Sequence, residues 1–232
     1  MAAGMISLVI PMLDEADGLP SLLEHLRSFR NRGCEVLLVD GGSSDGSAEL
    51  AEQAGFCVLR APRGRAQQMN AGAHAAHGDI LLFLHADTRL PANADTLITA
   101  ALSGGSRVWG RFDVAIAGSA PMLRVVAFLM NRRSRWTGIA TGDQAIFVRR
   151  VAFDAIGGFP DQALMEDLEA SRRLKRISPP ACLAARAVTS GRRWERNGVW
   201  RTILLMWRLR LAYRLGAPAE TLARQYRPGG TH

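Results

Sequence analysis

Apolar residues in the first part of the chain fall into short runs separated by helical repeats. ISLVI (Ile6–Ile10) is continuous and of strand length, and it reads as a buried strand. Leu19, Leu22, Leu23, Leu26 and Phe29 then recur at three-and-four spacing, which lays one apolar stripe along a helix that Gly33 ends. EVLLVD (Glu35–Asp40) predicts a second strand. In SSDGSAELAEQAG, Ser43 or Ser44 stands where a side-chain oxygen would cap a helix that stops at Gly55. FCVL (Phe56–Leu59) predicts a third strand, and Arg65–His77 a helix with Gly78 after it. DILLFLHAD (Asp79–Asp87) predicts a fourth strand, apolar almost throughout, as a strand covered on both faces must be.

Strands alternating with helices imply an α/β domain around a doubly wound, mostly parallel sheet. Such sheets bind ligands beyond the carboxyl ends of their strands. Here those ends carry Pro11, Asp14 and Glu15, then Asp40, then His85 to Asp87. The second half is less regular. Arg107–Ile116 alternates like a half-buried strand, Pro121–Arg133 and Met165–Arg176 read as helices, Ala181–Thr189 as a strand and Asn197–Leu215 as a long helix. We divide the chain into a catalytic domain over 1–190, with a nucleotide-binding half to about 105, and a helical extension over 191–232.

Composition narrows the function classes. The chain has 232 residues, 48% hydrophobic and 22% charged, which suits one folded domain with a short extension and excludes a disordered chain. A formal charge of +8 favours anionic partners, and arginines crowd the region after Arg172. No recognised nucleic-acid module accompanies that charge, so nucleotides or an anionic membrane surface are the expected partners. Cys34, Cys57 and Cys182 are too sparse for a disulfide framework or a zinc site, and two of them lie in apolar runs that read as core. Pro11 and the acids after it break the first apolar run, so no signal peptide is expected there. No stretch reaches the roughly 20 apolar residues of a membrane span, which makes the cytoplasm the expected compartment.

Three segments carry chemistry. VDGGSSDGS (Val39–Ser47) ends a strand on an acid and opens a helix through a glycine- and serine-rich turn, which suits a base or ribose as well as a plain capped turn. It is not the dinucleotide fingerprint G-x-G-x-x-G. FLHADT (Phe83–Thr88) ends an apolar strand on Asp87, placed either to hold a divalent cation through oxygen or to cap the segment from Pro91. MEDLEASRRLKR (Met165–Arg176) puts Glu166 and Asp167 at a helix start, where carboxylates are favoured electrostatically and where one could accept a proton from a hydroxyl.

In this order and spacing the segments resemble the family-2 glycosyltransferases of GT-A fold, over roughly Met5–Arg176, and in particular their short bacterial members. IPMLDEADGLPSLLEHL resembles their opening strand and nucleotide loop, RGRAQQMNAGAHAAHGDILLFLHADT their basic loop and acid-x-acid strand, and TGDQAIFVRRVAFDAIGGFPDQALMEDLEASRRLK their acceptor-side segment. The resemblance implies that Pro11, Asp14 and Glu15 line the nucleotide pocket and that Asp40 hydrogen-bonds the base, commonly uracil. It implies that Arg65 approaches the phosphates, that His85 and Ala86 border the nucleotide, and that Asp87 ligates Mg²⁺ or Mn²⁺. Gly142, Asp143 and Gln144 would hold donor or acceptor sugar. Asp167, beside Glu166, would be the base of an inverting displacement from a nucleoside-diphosphate sugar to an unidentified hydroxyl acceptor. His85 stands where the family usually has an acid, Asp14 where Asn is commoner, and Gly41 where a second acid is frequent. Of the family's late QxxRW element only Arg193 and Trp194 match, as diphosphate contacts, and without the membrane spans of long processive synthases the chain reads as non-processive.

Two matters stay open. On a helical wheel Trp200, Ile203, Leu204, Trp207, Leu211 and Leu215 share a face, interleaved with arginines. Such a face suits packing on the domain, a homodimer, or peripheral contact with the inner face of the cytoplasmic membrane, where a lipid-linked acceptor would be met. The rival functions are a sugar-nucleotide-forming nucleotidyltransferase, against which the acidic, glycine-poor loop PMLDEADG speaks, and an inactive nucleotide-binding module, which would not need the strand-end acids.

Overall fold

The computed structural model describes residues 4–226. Eight strands form one sheet: β1 (Ile6–Met12), β2 (Glu35–Asp40), β3 (Cys57–Arg60), β4 (Ile80–Phe83), β5 (Thr88–Arg89), β6 (Trp109–Ala117), β7 (Phe147–Arg149) and β8 (Ala181–Ser190). Their order is β3-β2-β1-β4-β7-β6-β8-β5. The first four strands pair in parallel, β7 runs antiparallel to both β4 and β6, and β6 pairs with β8 in parallel. This is the expected α/β, mostly parallel architecture.

The helices are α1 (Leu19–Asn31), α2 (Ser47–Gln53), α3 (Arg65–Ala75), α4 (Ala94–Ser103), α5 (Met122–Thr137), α6 (Arg150–Ala155), α7 (Glu166–Leu174), α8 (Arg192–Asn197), α9 (Val199–Arg214) and α10 (Ala219–Tyr226), with a 3₁₀ turn at Gly142–Gln144. The continuous apolar runs follow from cover on both sheet faces. On β1, Leu8, Ile10 and Met12 pack with the Leu22, Leu26 and Phe29 stripe of α1, while Val9 faces the opposite way onto Ala66, Met69 and Ala73 of α3. At Gly72 a Cβ would come 2.8 Å from Val39 Cγ2 and overlap Val9, so only glycine lets α3 lie this close to the sheet. That approach sets Arg65 and Gln68, at the start of α3, over the carboxyl ends of β1 and β2.

Several expectations need correction. The fourth strand stops at Phe83, not Asp87: Leu84 to Asp87 form a turn, closed by the Thr88 N–H donating to His85 O at 3.0 Å, and pairing resumes when β5 joins β8. Neither Ser43 nor Ser44 caps α2. Its N-cap is Gly46 in the left-handed region, and both serines bond back toward Asp40 and Asp14. Strands β5 and β7 are too short for periodicity to show. The long helix expected over Asn197–Leu215 is α9, but α8 before it and α10 after it were not expected. Of the thiols only Cys34 is buried; Cys57 is exposed and Cys182 lies between.

The C-terminal helix settles on the domain by the face opposite its tryptophans. Leu209, fully buried, joins Leu164, Met165, Leu168 and Leu222 in a third small core. Trp200, Leu204, Trp207, Leu211 and Leu215 stay at least 60% exposed. On α5, Phe128, Leu129 and Trp136 are likewise more than half exposed. Among the described residues no helix is long and apolar enough to cross a membrane.

Candidate active site

A cavity of about 1190 Å³ opens at the carboxyl ends of β1 and β4. Pro11, Asp14, Glu15, Arg65, His85, Ala86, Asp87, Gly142, Asp143, Glu166, Asp167, Arg193 and Trp194 all line it. Two residues of the sequence-derived set do not. Asp40 is 1% exposed and lies beneath its own turn, accepting from the Gly42 and Ser43 N–H groups at 3.0 and 3.1 Å and from the Ser43 hydroxyl at 2.5 Å. Gln144 is fully buried, its Oε1 accepting from the Thr141 N–H at 3.2 Å and its Nε2 facing Asn131 at 3.3 Å. In this structure both side chains shape loops.

The floor beyond the ends of β1 and β2 is built by two loops that hold each other. Asp14 sits at φ +52°, a strained value for a non-glycine residue, and its carboxylate accepts the Ser44 N–H at 2.8 Å. In return the Ser47 and Asp45 side chains accept the Glu15 and Ala16 N–H groups at 2.9 and 2.8 Å. The strained turn is thus fixed by hydrogen bonds from the second-strand loop, which accounts for the serine-rich sequence there. Gln68, which periodicity could not single out, is buried and donates to Met12 O and Val39 O, both at 2.8 Å, bridging the ends of β1 and β2.

Asp87 is held from β8. Its Oδ1 lies 3.2 Å from the Thr88 hydroxyl and 3.4 Å from the Thr189 hydroxyl, and the Ser190 N–H donates to its carbonyl at 3.1 Å. Burial raises the pKa of Glu15, and the negative charge of Asp87 raises it further, while Arg192 opposes both. Two carboxylates close enough to repel suit a divalent cation, which would relieve the repulsion. Among the described residues no three His, Cys, Asp or Glu side chains cluster as a full ligand set. Asp87 and Glu15 are the oxygen donors here that could hold a hard divalent cation.

The opposite side of the cavity is organised around Asp167. Its Oδ2 accepts the Gly142 N–H at 2.8 Å and its Oδ1 the Leu168 N–H at 2.7 Å. Burial pushes its pKa up to about 6, helped by the charge of neighbouring Glu166, while the two N–H bonds and Arg65 work against the rise. Met165, at φ +67°, turns the chain into α7 so that both acids enter the cavity. Arg65 Nη1 lies 3.5 Å from Glu166 Oε1. Burial disfavours the charge of Arg65, but Glu166, Asp167 and Asp143 outweigh it and raise its pKa.

His85, in the place of an expected acid, points Nδ1 at Asp143 Oδ1 from 3.4 Å, and its Nε2 is buried without a partner among the described residues. Burial works against ionisation of Asp143, but the His85 hydrogen bond and the charges of His85, Arg65 and Arg193 keep its pKa below the usual value. A Cβ at Gly142 would collide with the His85 ring, so this glycine permits the stacking of turn on imidazole. Arg193 lies over the Tyr226 ring, 3.6 Å from its centroid, and donates to Tyr226 O at 2.9 Å. That link between α8 and the end of α10, like the cavity-lining Arg133 of α5, had no sequence motif to announce it.

Known proteins share this pattern. The family model described as "Glycosyl transferase family 2" matches residues 7–159. An undecaprenyl-phosphate 4-deoxy-4-formamido-L-arabinose transferase of Serratia proteamaculans is 31% identical over 160 residues, 62% of this chain and 48% of its own. A PGL/p-HBAD biosynthesis glycosyltransferase of Mycobacterium bovis is 32% identical over 165 residues, 67% of this chain and 59% of its own. The chain thus spans about half the length of these curated relatives. Among solved structures, S. aureus TarS 1-349 superposes with a TM-score of 0.65 at 15% identity, covering 81% of this chain and 60% of TarS. The Pyrobaculum calidifontis mannosyltransferase PcManGT, in complex with GDP-Man and Mn²⁺, gives 0.60 at 17% identity, covering 81% and 57%. The fold is GT-A, and the chain belongs to glycosyl transferase family 2.

Proposed function

We propose that the protein transfers a sugar from a nucleoside-diphosphate sugar to a hydroxyl acceptor with inversion, non-processively. The observation that carries this reading is Asp167: a carboxylate with its pKa lifted to about 6, fixed by two backbone N–H groups in the cavity where strand-end acids converge. A base poised near the working pH abstracts a proton most effectively. The acceptor O–H proton passes to the Asp167 carboxylate, the acceptor oxygen bonds the anomeric carbon, and the bond from that carbon to the diphosphate oxygen breaks on the opposite side. Arg65 faces the phosphates as they leave, and the His85–Asp143 pair with Gly142 faces the sugar. A bound Mg²⁺ or Mn²⁺ would be held by Asp87 with Glu15 beside it, and it supplies charge neutralisation to the departing nucleoside diphosphate.

A UDP-sugar is the favoured donor, with GDP-mannose the alternative; the fold neighbours TarS and PcManGT were solved with UDP-GlcNAc and GDP-Man. A lipid-linked acceptor is favoured by the exposed tryptophan face of α9 and by the undecaprenyl-phosphate named for the Serratia relative. That face would meet the inner leaflet of the cytoplasmic membrane peripherally, with residues 1–190 as the catalytic unit and the extension beyond as its anchor.

The test is calorimetric titration of UDP and GDP, with and without Mn²⁺, on wild type and Asp87→Ala. Metal-dependent binding of one nucleotide, lost in the variant, is expected. Binding of neither nucleotide under any condition would overturn the reading.

A further inference from the structure

The cavity lining falls into two parts of different chemistry. One, over the strand ends, is lined by the acids, His85 and Arg65 already described. The other is walled by α5 and α9 with Phe128, Leu129, Trp136, Ile203, Met206 and Trp207, an apolar surface continuous with the exposed faces of both helices. A volume of about 1190 Å³ exceeds the roughly 300–1,000 Å³ of a pocket that encloses one small ligand.

Two arginines lie on this second wall. Arg133 of α5 and Arg210 of α9 both line the cavity. Nε and Nη2 of Arg133 and Nε of Arg210 are buried with no hydrogen-bond partner among the described residues. Other arginines at the cavity are engaged: Arg65 with Glu166, and Arg193 with Tyr226. A guanidinium N–H withdrawn from water without a partner is costly, and folded proteins satisfy nearly all buried donors. Burial works against the charge of Arg133, which Asp167 and Asp143 support from nearby. Neither α5 nor α9 contains an acid, and the carboxylates that face the Arg133 charge are Asp143 and Asp167.

We propose that this compartment is a subsite for an anionic single-chain amphiphile, its phosphate or carboxylate headgroup held by Arg133 with Arg210 and its chain laid along the apolar walls of α5 and α9. A forked guanidinium matches such headgroups. That the ligand is the acceptor rests on the transfer reading above; the subsite itself does not. The apolar chain supplies affinity that a free anion lacks, because its surface is removed from water on binding.

The full chain is titrated with decyl phosphate below its critical micelle concentration, with inorganic phosphate as the headgroup alone and with decanol as the chain alone, followed by calorimetry and by the fluorescence of the wall tryptophans. Decyl phosphate is expected to bind at least tenfold tighter than either fragment, an advantage lost in Arg133→Gln/Arg210→Gln and partly restored in Arg133→Lys/Arg210→Lys. UDP or GDP affinity in the same variants is expected to stay within about twofold, which also reports that they fold. Inorganic phosphate binding as tightly as decyl phosphate, decanol binding as tightly, undiminished binding in the glutamine variant, or competition with the nucleotide would each overturn the proposal. Should neither nucleotide bind while decyl phosphate behaves as expected, the transfer reading falls and the subsite stands.

Discussion

Replacing Asp167 by Asn tests the base assignment through two independent readouts. The substitution keeps the shape and removes the charge. A pKa raised from the ordinary 3.8 to about 6 means that ionisation is disfavoured in the folded state, by about 3 kcal/mol at 1.36 kcal/mol per tenfold change in proton affinity. Water in the open cavity screens part of this, which leaves about 1–3 kcal/mol. The folded protein binds this proton more tightly than the unfolded chain. The associated stability is therefore fully present below pH 3.8 and is lost as pH rises through about 6. Asn cannot titrate. It leaves either the Gly142 or the Leu168 N–H without its acceptor, a loss that does not depend on pH and cancels when two pH values are compared. Melting curves at pH 4 and pH 7 should therefore show Asp167→Asn gaining on wild type by about 1–3 kcal/mol, roughly 3–10 °C in a chain of this size. In the transfer assay, wild-type kcat/KM should fall as pH drops below about 6, and the variant should lose about 10²–10⁴-fold with nucleotide affinity kept. A melting difference that stays flat between the two pH values, or activity within a few-fold of wild type, would refute the reasoning.

Three further outcomes are expected. Gly142→Ala puts a methyl into the His85 ring and should cost about 1–3 kcal/mol by calorimetry while displacing the N–H that fixes Asp167, lowering kcat more than donor affinity. Leu209→Ala empties the centre of the small core joining α9 to α7 and α10 and should cost about 2–5 kcal/mol in urea unfolding; a loss under about 1 kcal/mol would mean that α9 is not seated there. Trp200→Glu with Leu204→Glu alters side chains that are about two-thirds exposed and outside the cavity, so folding and nucleotide binding should persist while sedimentation with anionic vesicles falls; unchanged sedimentation would show that this face does not meet lipid.

Wherever burial on both sides forces continuous apolar runs or one-sided stripes, the sequence determined the outcome: β1, β2, α1 and α3 follow from composition and period alone. It also placed the acids at strand ends, because a chain that leaves a buried strand must turn there whatever its partners. Other features arise only when distant segments meet. Asp87 reads as a strand end but sits in a turn, because β8, a hundred residues on, supplies the pairing that β4 gives up. Asp40 reads as a ligand contact, yet its carboxylate is consumed by the turn that follows it. The helical wheel of α9 could not say which side faces out, since its apolar surface is broad; contact of Leu209 with Leu168 and Leu222 decided that, and left the tryptophans exposed. The unpaired arginines of α5 and α9 have no motif at all. Their meaning comes from low-dielectric surroundings that only the folded chain creates, because a charge is unremarkable in water and costly once buried without a partner.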